Sequence, residues 1–332
     1  MDVFALTRKL IDIDSTTGRE KDVALFLKGY LAERGFQVTL QEVEPDRFNV
    51  LARLGQPRAI LSTHLDTVPP FIPSSEDEDY LYGRGACDAK GIAAAQITAA
   101  ERLADGGVEQ IGLLFVVDEE RTSLGAKAAN RLDWESEFLI DGEPTENKLV
   151  LATKGSMRVE IKTRGRAAHS AYPHMGESAI EKLLDVLDDL RQIPLPRHEL
   201  LGESNYNIGI IAGGVASNVI PDRARAEVMF RLVEEPVTLR RQLQEITDGR
   251  ATLTIISEAS PVFLNQVEGF ETGVVSFGTD IPFLTRLGKP YLLGPGSILD
   301  AHTDHEKVPK RALIEAVELY VRLVERLLNE SG

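Results

Sequence analysis

A single cysteine, Cys87, stands among 332 residues. No intrachain disulfide can form, and such poverty in cysteine fits a reducing compartment. Long apolar runs are missing too: no window approaches the roughly 20 residues that a membrane-spanning helix needs. The N-terminal stretch MDVFALTRKLIDIDSTTGRE mixes charge into an amphipathic pattern and lacks the apolar centre of a secretion signal. These absences give the expectation of a soluble, cytoplasmic protein. Positive charge is scarce: 37 Lys and Arg face 52 Asp and Glu, for a net charge of -15. Nucleic acid and anionic membranes, which call for basic patches, are therefore not expected partners. An excess of acid suits a site that gathers divalent cations. The chain is long enough for one large or two medium domains.

Periodicity predicts an α/β chain. Helices are expected over Val3 to Ile13 and from a capping box at Thr17 and Glu20 to about Arg34. The strands FQVTLQEV, FNVLARL and RAILST follow, the last ending at His64. An Ala-rich helix, GIAAAQITAAERLADGG, precedes the buried strand QIGLLFVV, the helix SLGAKAANRL and the strand EFLI. Such alternation predicts a mixed sheet covered by helices on both faces. From about Lys154 the pattern changes to half-exposed strands, as in SMRVEIKTRG. The order β-α-β-β-α-β predicts a smaller α+β unit of split βαβ, ferredoxin-like type over 155–263. It is inserted into a domain made of 1–154 and 264–332, whose last element is the helix PKRALIEAVELYVRLVERLLNE.

Five stretches place metal-binding side chains at strand ends or in adjacent loops. They are STHLDTVPP, YGRGACDAKG, VVDEERTS, LIDGEPTE and LDAHTDHEKV. In open α/β sheets, ligands bind beyond the carboxyl ends of the strands, where these stretches should converge. Two imidazoles and several carboxylates, with no thiolate, match zinc, manganese or cobalt better than calcium. Five candidate ligands suggest two ions sharing a carboxylate, and a pair about 3.5–4 Å apart can polarise a carbonyl and acidify a bridging water. Three acids in a row, Asp118, Glu119 and Glu120, then become intelligible, because like charges at a strand end need something positive opposite.

The motifs HLDTVP, GRGACDAKG, DEE before a Gly-containing helix, GEPT, and GPG with AH occur in this order along nearly the whole chain. Together they resemble the dinuclear zinc aminoacylase and carboxypeptidase family, which includes acetylornithine deacetylase, succinyl-diaminopimelate desuccinylase and glutamate carboxypeptidase. The resemblance implies two divalent metal ions, zinc first, with cobalt or manganese as alternatives. It implies His64 on one metal, His302 on the other, and Asp88 bridging them. Asp66 would hold His64 in one tautomer. Glu119 would be the catalytic acid and base, and Glu120 a ligand of the His302 metal. The ligand beside His64 is Glu143 if GEPT is followed, or Asp141 if the residue directly after the strand is used; Glu143 is preferred.

The resemblance reaches into the inserted unit. GRAAHSAYPHMG points to His169 as a stabiliser of the tetrahedral oxyanion, delivered to a partner subunit. ASNVIPDRARAEVMFR points to Asn218 and Arg231 at the substrate carboxylate, and GPGS, with Gly294 and Gly296, to a loop lining the substrate pocket. A homodimer through the inserted lid and dimerisation domain is implied.

The expected reaction is hydrolysis of the amide bond of a small N-acyl amino acid, acetylornithine deacetylase-like, by a metal-bridging water with Glu119 as general base. A dipeptidase or carboxypeptidase with the same site is the alternative, and a non-catalytic metal-holding binding protein the rival from another class. The stretch IDGEPTENKLVLATKG leans toward the deacetylase branch. His305 is an extra imidazole beside His302, and AH before Thr303 favours His302. His174 and His198 read as surface residues and Cys87 as packing. The glycines of GRGACDAKG fit no phosphate-binding pattern. Asp118 has no assigned role, and a supporting or solvated position pointing away from the metals is expected.

Overall fold

The structure is a computed structural model that describes residues 1–330. In chain order it begins with α1 (Val3–Ile11), α2 (Lys21–Ala32), β1 (Gln37–Glu44), β2 (Arg47–Leu54) and β3 (Ala59–His64). Two short strands, β4 (Ser75–Glu76) and β5 (Tyr80–Tyr82), lead to α3 (Lys90–Asp105), β6 (Ile111–Val116), α4 (Leu124–Ala129), β7 (Phe138–Asp141) and β8 (Leu149–Thr153). Then come β9 (Gly155–Arg164), α5 (Ala179–Arg191), β10 (Arg197–His198), β11 (Gly202–Glu203), β12 (Asn205–Gly213) and β13 (Arg223–Leu232). The chain ends with α6 (Val237–Thr247), β14 (Thr252–Ala259), β15 (Val262–Phe263), β16 (Thr272–Val275), β17 (Lys289–Leu292), β18 (Lys307–Pro309) and α7 (Lys310–Glu330).

The chain forms two compact units. The first comprises Met1–Leu151, Leu264–Gly273 and the described chain from Thr279 onward; the second comprises Ala152–Phe263 and Val274–Gly278.

The first unit is built on a six-stranded sheet of order β1-β2-β6-β3-β7-β17. β3, β6, β7 and β17 run parallel, while β1 and β2 form an antiparallel hairpin on one edge. The central strands are apolar on both faces because both are covered. Leu61, Leu113 and Ile140 pack in one cluster with residues of α1, α2, α3 and α7. Their neighbours Ile60, Leu114 and Leu139 pack in another with Ala126 and Ala129 of α4 and with Leu284 and Leu287. This is the mixed sheet with helices on both faces that strand–helix alternation predicts. The parallel register aligns Thr63 with Phe115 and His64 with Val116, and Ser62 with Asp141, so the carboxyl ends of β3, β6 and β7 lie side by side.

The second unit is a four-stranded antiparallel sheet of order β12-β13-β9-β14. β9 and β13 alternate strictly, and Met157, Val159, Ile161, Ala226, Val228 and Phe230 pack against Leu183, Leu187 and Leu243 of α5 and α6. Alternation of this kind leaves one sheet face for the helices and one for solvent. Ser178 caps α5, its hydroxyl accepting the Glu181 N–H at 3.2 Å.

Two local expectations are corrected. The first helix ends at Ile11 and not Ile13. The second begins at Lys21, and Thr17 does not cap it. Its hydroxyl instead donates to the Asp66 carboxylate at 2.9 Å, and Glu20 is turned away to Arg47. The residue types of a capping box are present, but tertiary partners outcompete the local bonds.

Candidate active site

The strand ends gather the titratable residues. His64, the last residue of β3, is buried, and its Nε2 lies 2.9 Å from Asp88 Oδ1. Donor atoms of His64, Asp88 and Glu143 lie within 4.8 Å of one another, and those of Asp88, Glu120 and His302 form a second such group. Asp88 belongs to both. The His302 Nε2 is 3.0 Å from Glu120 Oε1 and 3.2 Å from Asp88 Oδ2. One imidazole and two carboxylates per group, with one carboxylate shared, is a donor set that fits two divalent ions of the zinc type. Asp141 ends β7, is buried and belongs to neither group, and its Oδ2 lacks a hydrogen-bond partner. His305 is exposed and in neither group.

The charges match this reading. Burial pushes the Glu143 carboxyl well above its ordinary range, and the negative charges of Glu119 and Asp88 add to it. Glu119 is partly buried, and loss of water raises its pKa strongly. His64 opposes that shift, while Asp280, Glu120 and Asp88 reinforce it. Burial alone would lower the His64 pKa, but the neighbouring carboxylates of Asp66 and Asp88 outweigh it and hold the imidazole well above its usual value. For Asp88, too, burial is outweighed, here by the hydrogen bonds from His302 and His64, and its carboxyl is held low. The His302 pKa is pushed up to about 10, chiefly by its contacts with Asp88 and Glu120. The carboxylates that shift both imidazoles upward are the same charges that divalent ions held by these donors would balance.

Three supports hold the acids in place. The Asp66 carbonyl oxygen lies 2.9 Å from His64 Nδ1, whereas its carboxylate is 3.6 Å away. The carboxylate accepts the backbone N–H groups of Glu119 at 3.1 Å and Glu120 at 3.3 Å. The second support, Glu306, accepts the N–H groups of Gly85, Cys87 and Asp88 on one oxygen at 2.9–3.1 Å. Its other oxygen receives Arg84 Nη1 at 2.7 Å, and Arg84 also donates to the Pro70 and Thr303 carbonyls. The third support is Asp118. It is buried and not solvated, and it pairs with Arg47 Nη2 at 2.8 Å.

Gly294 and Gly296 join the end of β17 to the Glu143 loop. The Gly294 carbonyl accepts the N–H groups of Thr145 and Asn147, and the Gly296 carbonyl that of Glu146. A Cβ on Gly294 would sit 2.3 Å from the Glu143 carbonyl oxygen, so only glycine permits this approach. Gly296, at φ +85°, packs beside Cys87, whose Sγ donates to the Ser297 carbonyl at 3.1 Å.

In the second unit, His169 and Asn218 lie on stitched loops. Ser170 N–H donates to the Asn218 carbonyl at 3.0 Å, and Ile220 N–H to that of Ala168 at 2.9 Å. The exposed His169 accepts the Ala171 N–H on Nδ1 at 3.1 Å, which leaves the proton of the neutral ring on Nε2 as a free donor. Arg231, near the end of β13, is half-buried, and desolvation lowers its pKa.

Asp280 was not singled out by sequence reasoning. It is buried, and burial raises its pKa to about 6 against the opposing pull of the Ser123 side chain. Its one sequence signal is a lone acid between Thr279 and Ile281 in an otherwise apolar stretch.

Paired donor groups at the carboxyl ends of parallel strands define a metallohydrolase architecture, and kinship makes the class definite. Residues 60–326 match the profile of Peptidase family M20/M25/M40, and the chain belongs to that family of metallopeptidases. A Peptidase M20 domain-containing protein of Schizosaccharomyces pombe is 42% identical over 335 residues, covering 97% of this chain and 84% of the relative. A protein of Aspergillus clavatus named as a probable carboxypeptidase is 38% identical over 371 residues, covering 99% and 89%. Among solved structures, a tripeptidase from Staphylococcus aureus superposes with a TM-score of 0.80 at 23% identity, covering 96% of each chain.

Proposed function

We infer that the chain hydrolyses the amide bond of a small substrate carrying a free carboxylate, in the first instance an N-acyl amino acid of the acetylornithine type. The observation that supports this most directly is the pair of donor groups sharing Asp88, with Glu119 beside them. His64, Asp88 and Glu143 would hold one divalent ion and Asp88, Glu120 and His302 the other, zinc being the best fit to this donor set. When bound, such a pair polarises the substrate carbonyl and lowers the pKa of water. Glu119 then takes the proton from the attacking water at its carboxylate. The same carboxyl delivers that proton to the departing nitrogen. A carboxyl whose pKa is raised is suited to both acts, since it accepts a proton readily and remains able to return it.

His169, with its Nε2–H free, would donate to the carbonyl oxygen as negative charge develops there. Arg231 and Asn218 would hold the substrate carboxylate, a pairing for which a planar guanidinium is well shaped. Gly294 and Gly296 would line the substrate pocket, and a side chain on Gly294 would collide with the Glu143 carbonyl. The second unit would join two copies in a homodimer and supply His169 to the partner, with the whole acting in the cytoplasm.

A peptidase reading uses the same residues and is favoured by the relative named as a probable carboxypeptidase and by the tripeptidase likeness. The deciding experiment is a panel of N-acetyl and N-succinyl amino acids, dipeptides and tripeptides, assayed with zinc or cobalt. Release of acetate or succinate supports the deacylase reading; cleavage of peptides alone replaces it with the peptidase reading. Failure of every amide while both ions are bound would return the chain to the metal-holding class.

A further inference from the structure

We propose that Arg47 is a positioning residue for the catalytic acids, acting through Asp118. This inference rests on the reading of Glu119 as base and Glu120 as ligand. It adds a residue on the edge hairpin that holds both from behind.

Arg47 opens β2 and has three carboxylates around one guanidinium. Its Nε and Nη2 engage the two oxygens of Glu20 at 2.9 and 2.5 Å. Nη2 also reaches Asp118 Oδ1 at 2.8 Å, and Nη1 reaches Glu44 at 2.7 Å. The Glu20 side chain is fully buried and that of Asp118 6% exposed, whereas Glu44 is 48% exposed. The two inner pairs are therefore shielded from solvent, and the outer one is not. Such contacts raise the Arg47 pKa, with the hydrogen bond to Glu20 first among the causes.

Asp118 is where the chain turns from β6 into the Glu119–Glu120 pair. Its φ is +70°, a left-handed conformation that a residue with a Cβ seldom takes unless its surroundings enforce it. The enforcement is visible. The Asp118 carbonyl accepts the N–H groups of Thr122 and Ser123 at 3.1 and 2.8 Å. Its carboxylate accepts the Thr122 hydroxyl and the Arg47 guanidinium. Two residues along β2, Asn49 grips the same turn: its Oδ1 accepts Val117 N–H at 3.1 Å and its Nδ2 donates to the Gly125 carbonyl at 2.8 Å. From the front, Asp66 takes the N–H groups of Glu119 and Glu120. The pair is thus clamped between Asp66 and the Arg47–Asp118 ion pair, and neither of these belongs to the two donor groups.

The clamp bears on one donor group more than the other. Glu120 belongs to the group with Asp88 and His302, while His64 and Glu143 lie on β3 and on the loop after β7. Loosening Asp118 should weaken one ion and spare its neighbour, a selectivity that general destabilisation does not produce.

The test uses cobalt(II) as the probe, added to the metal-free full-length chain and followed by its visible absorption, with kcat and KM measured at saturating cobalt on the best substrate of the panel. Asp118→Asn keeps the shape and removes the charge. Arg47→Lys keeps the buried positive charge, so the fold survives, but lacks the fork that spans Glu20 and Asp118. Each is expected to weaken one cobalt step by about 10-fold or more, leave the other within about twofold, and lower kcat about 10–100-fold with KM little changed. Glu44→Gln, which removes only the exposed partner, should match the unaltered chain in every measure. Unchanged cobalt steps and kcat in both Asp118→Asn and Arg47→Lys overturn the positioning role. So does equal weakening of both steps in parallel with melting temperature. The underlying reading fails separately, through an unaltered chain that binds fewer than two cobalt ions or a Glu119→Gln variant that still turns over.

Discussion

Asp66 meets His64 through its backbone and not through its side chain: the carbonyl oxygen is 2.9 Å from Nδ1, the nearer carboxylate oxygen 3.6 Å. The carboxylate is occupied by Thr17 and by the N–H groups of Glu119 and Glu120. A residue expected to orient an imidazole thus divides its work, fixing a tautomer with one end and a pair of acids with the other. Replacement of Asp66 by Asn preserves the carbonyl and weakens the carboxylate contacts. It should cost about 10–100-fold in kcat and in affinity for the ion on Glu120, with the ion on His64 least affected. Equilibrium dialysis with two-site analysis checks this; equal loss at both sites would contradict it.

Glu119→Gln removes the carboxylate proposed to accept the proton and retains nearly the same volume. Turnover should fall by at least about 10²–10⁴-fold while both ions stay bound. Metal content measured beside the rate separates this from loss of the centre.

Arg231→Ala should act on substrate capture. A charge-assisted hydrogen bond to a carboxylate contributes about 1.5–3 kcal/mol, which corresponds to a rise in KM of about 10–100-fold. Substrates whose carboxylate is amidated should not distinguish the variant from the unaltered chain.

Asp280 gives a pH prediction for the metal-free protein. Its pKa is raised to about 6 in the folded chain, so between about pH 4 and 6 the native state holds a proton that the unfolded state has released. Stability contributed by this group is therefore complete at acid pH and lost as pH rises through 6. Asp280→Asn should stabilise the metal-free chain by on the order of 2–3 kcal/mol at pH 7–8 and by almost nothing at pH 4. Denaturant melts at the two pH values measure the difference.

His302 works in the same direction at higher pH. With its pKa raised to about 10, its pairing with Asp88 and Glu120 contributes fully below about 6.5 and fades as pH climbs toward 10. The melting temperature of the metal-free protein should decline across that window. Zinc should abolish the decline and release protons on binding, more of them at pH 7 than at pH 10. Zinc titrations in two buffers of different ionisation enthalpy count those protons.

How much of this was legible in the sequence depended on where each partner lies along the chain. The residues that form the two donor groups sit at strand ends or in the loops that follow them, and the apolar runs before them announce the strands. The alternation of β9 and β13 likewise announces a sheet with one open face. What stayed hidden are contacts between distant positions whose residue types are individually ordinary. Arg47 and Asp118 are 71 residues apart, and Glu306 meets Gly85 across 221. No periodicity connects them. Thr17 and Glu20 show the converse: a complete local signature whose side chains were claimed by Asp66 and Arg47. Asp118 read as spare because its counter-charge lies on another strand.

The three N–H groups that Glu306 collects from Gly85, Cys87 and Asp88 tie the early Asp88 loop to a residue made more than 200 positions later. The chain leaves the first unit after Leu151 and re-enters it at Leu264. A nascent chain that has emerged only to Phe263 therefore possesses His64, Asp88, Glu120 and Glu143, yet has neither His302 nor the carboxylate that shapes the Asp88 loop. The complete set of donors and the carboxylate that cradles the Asp88 loop exist together only once the chain beyond the intervening unit has been made, and chains arrested before His302 should not turn over.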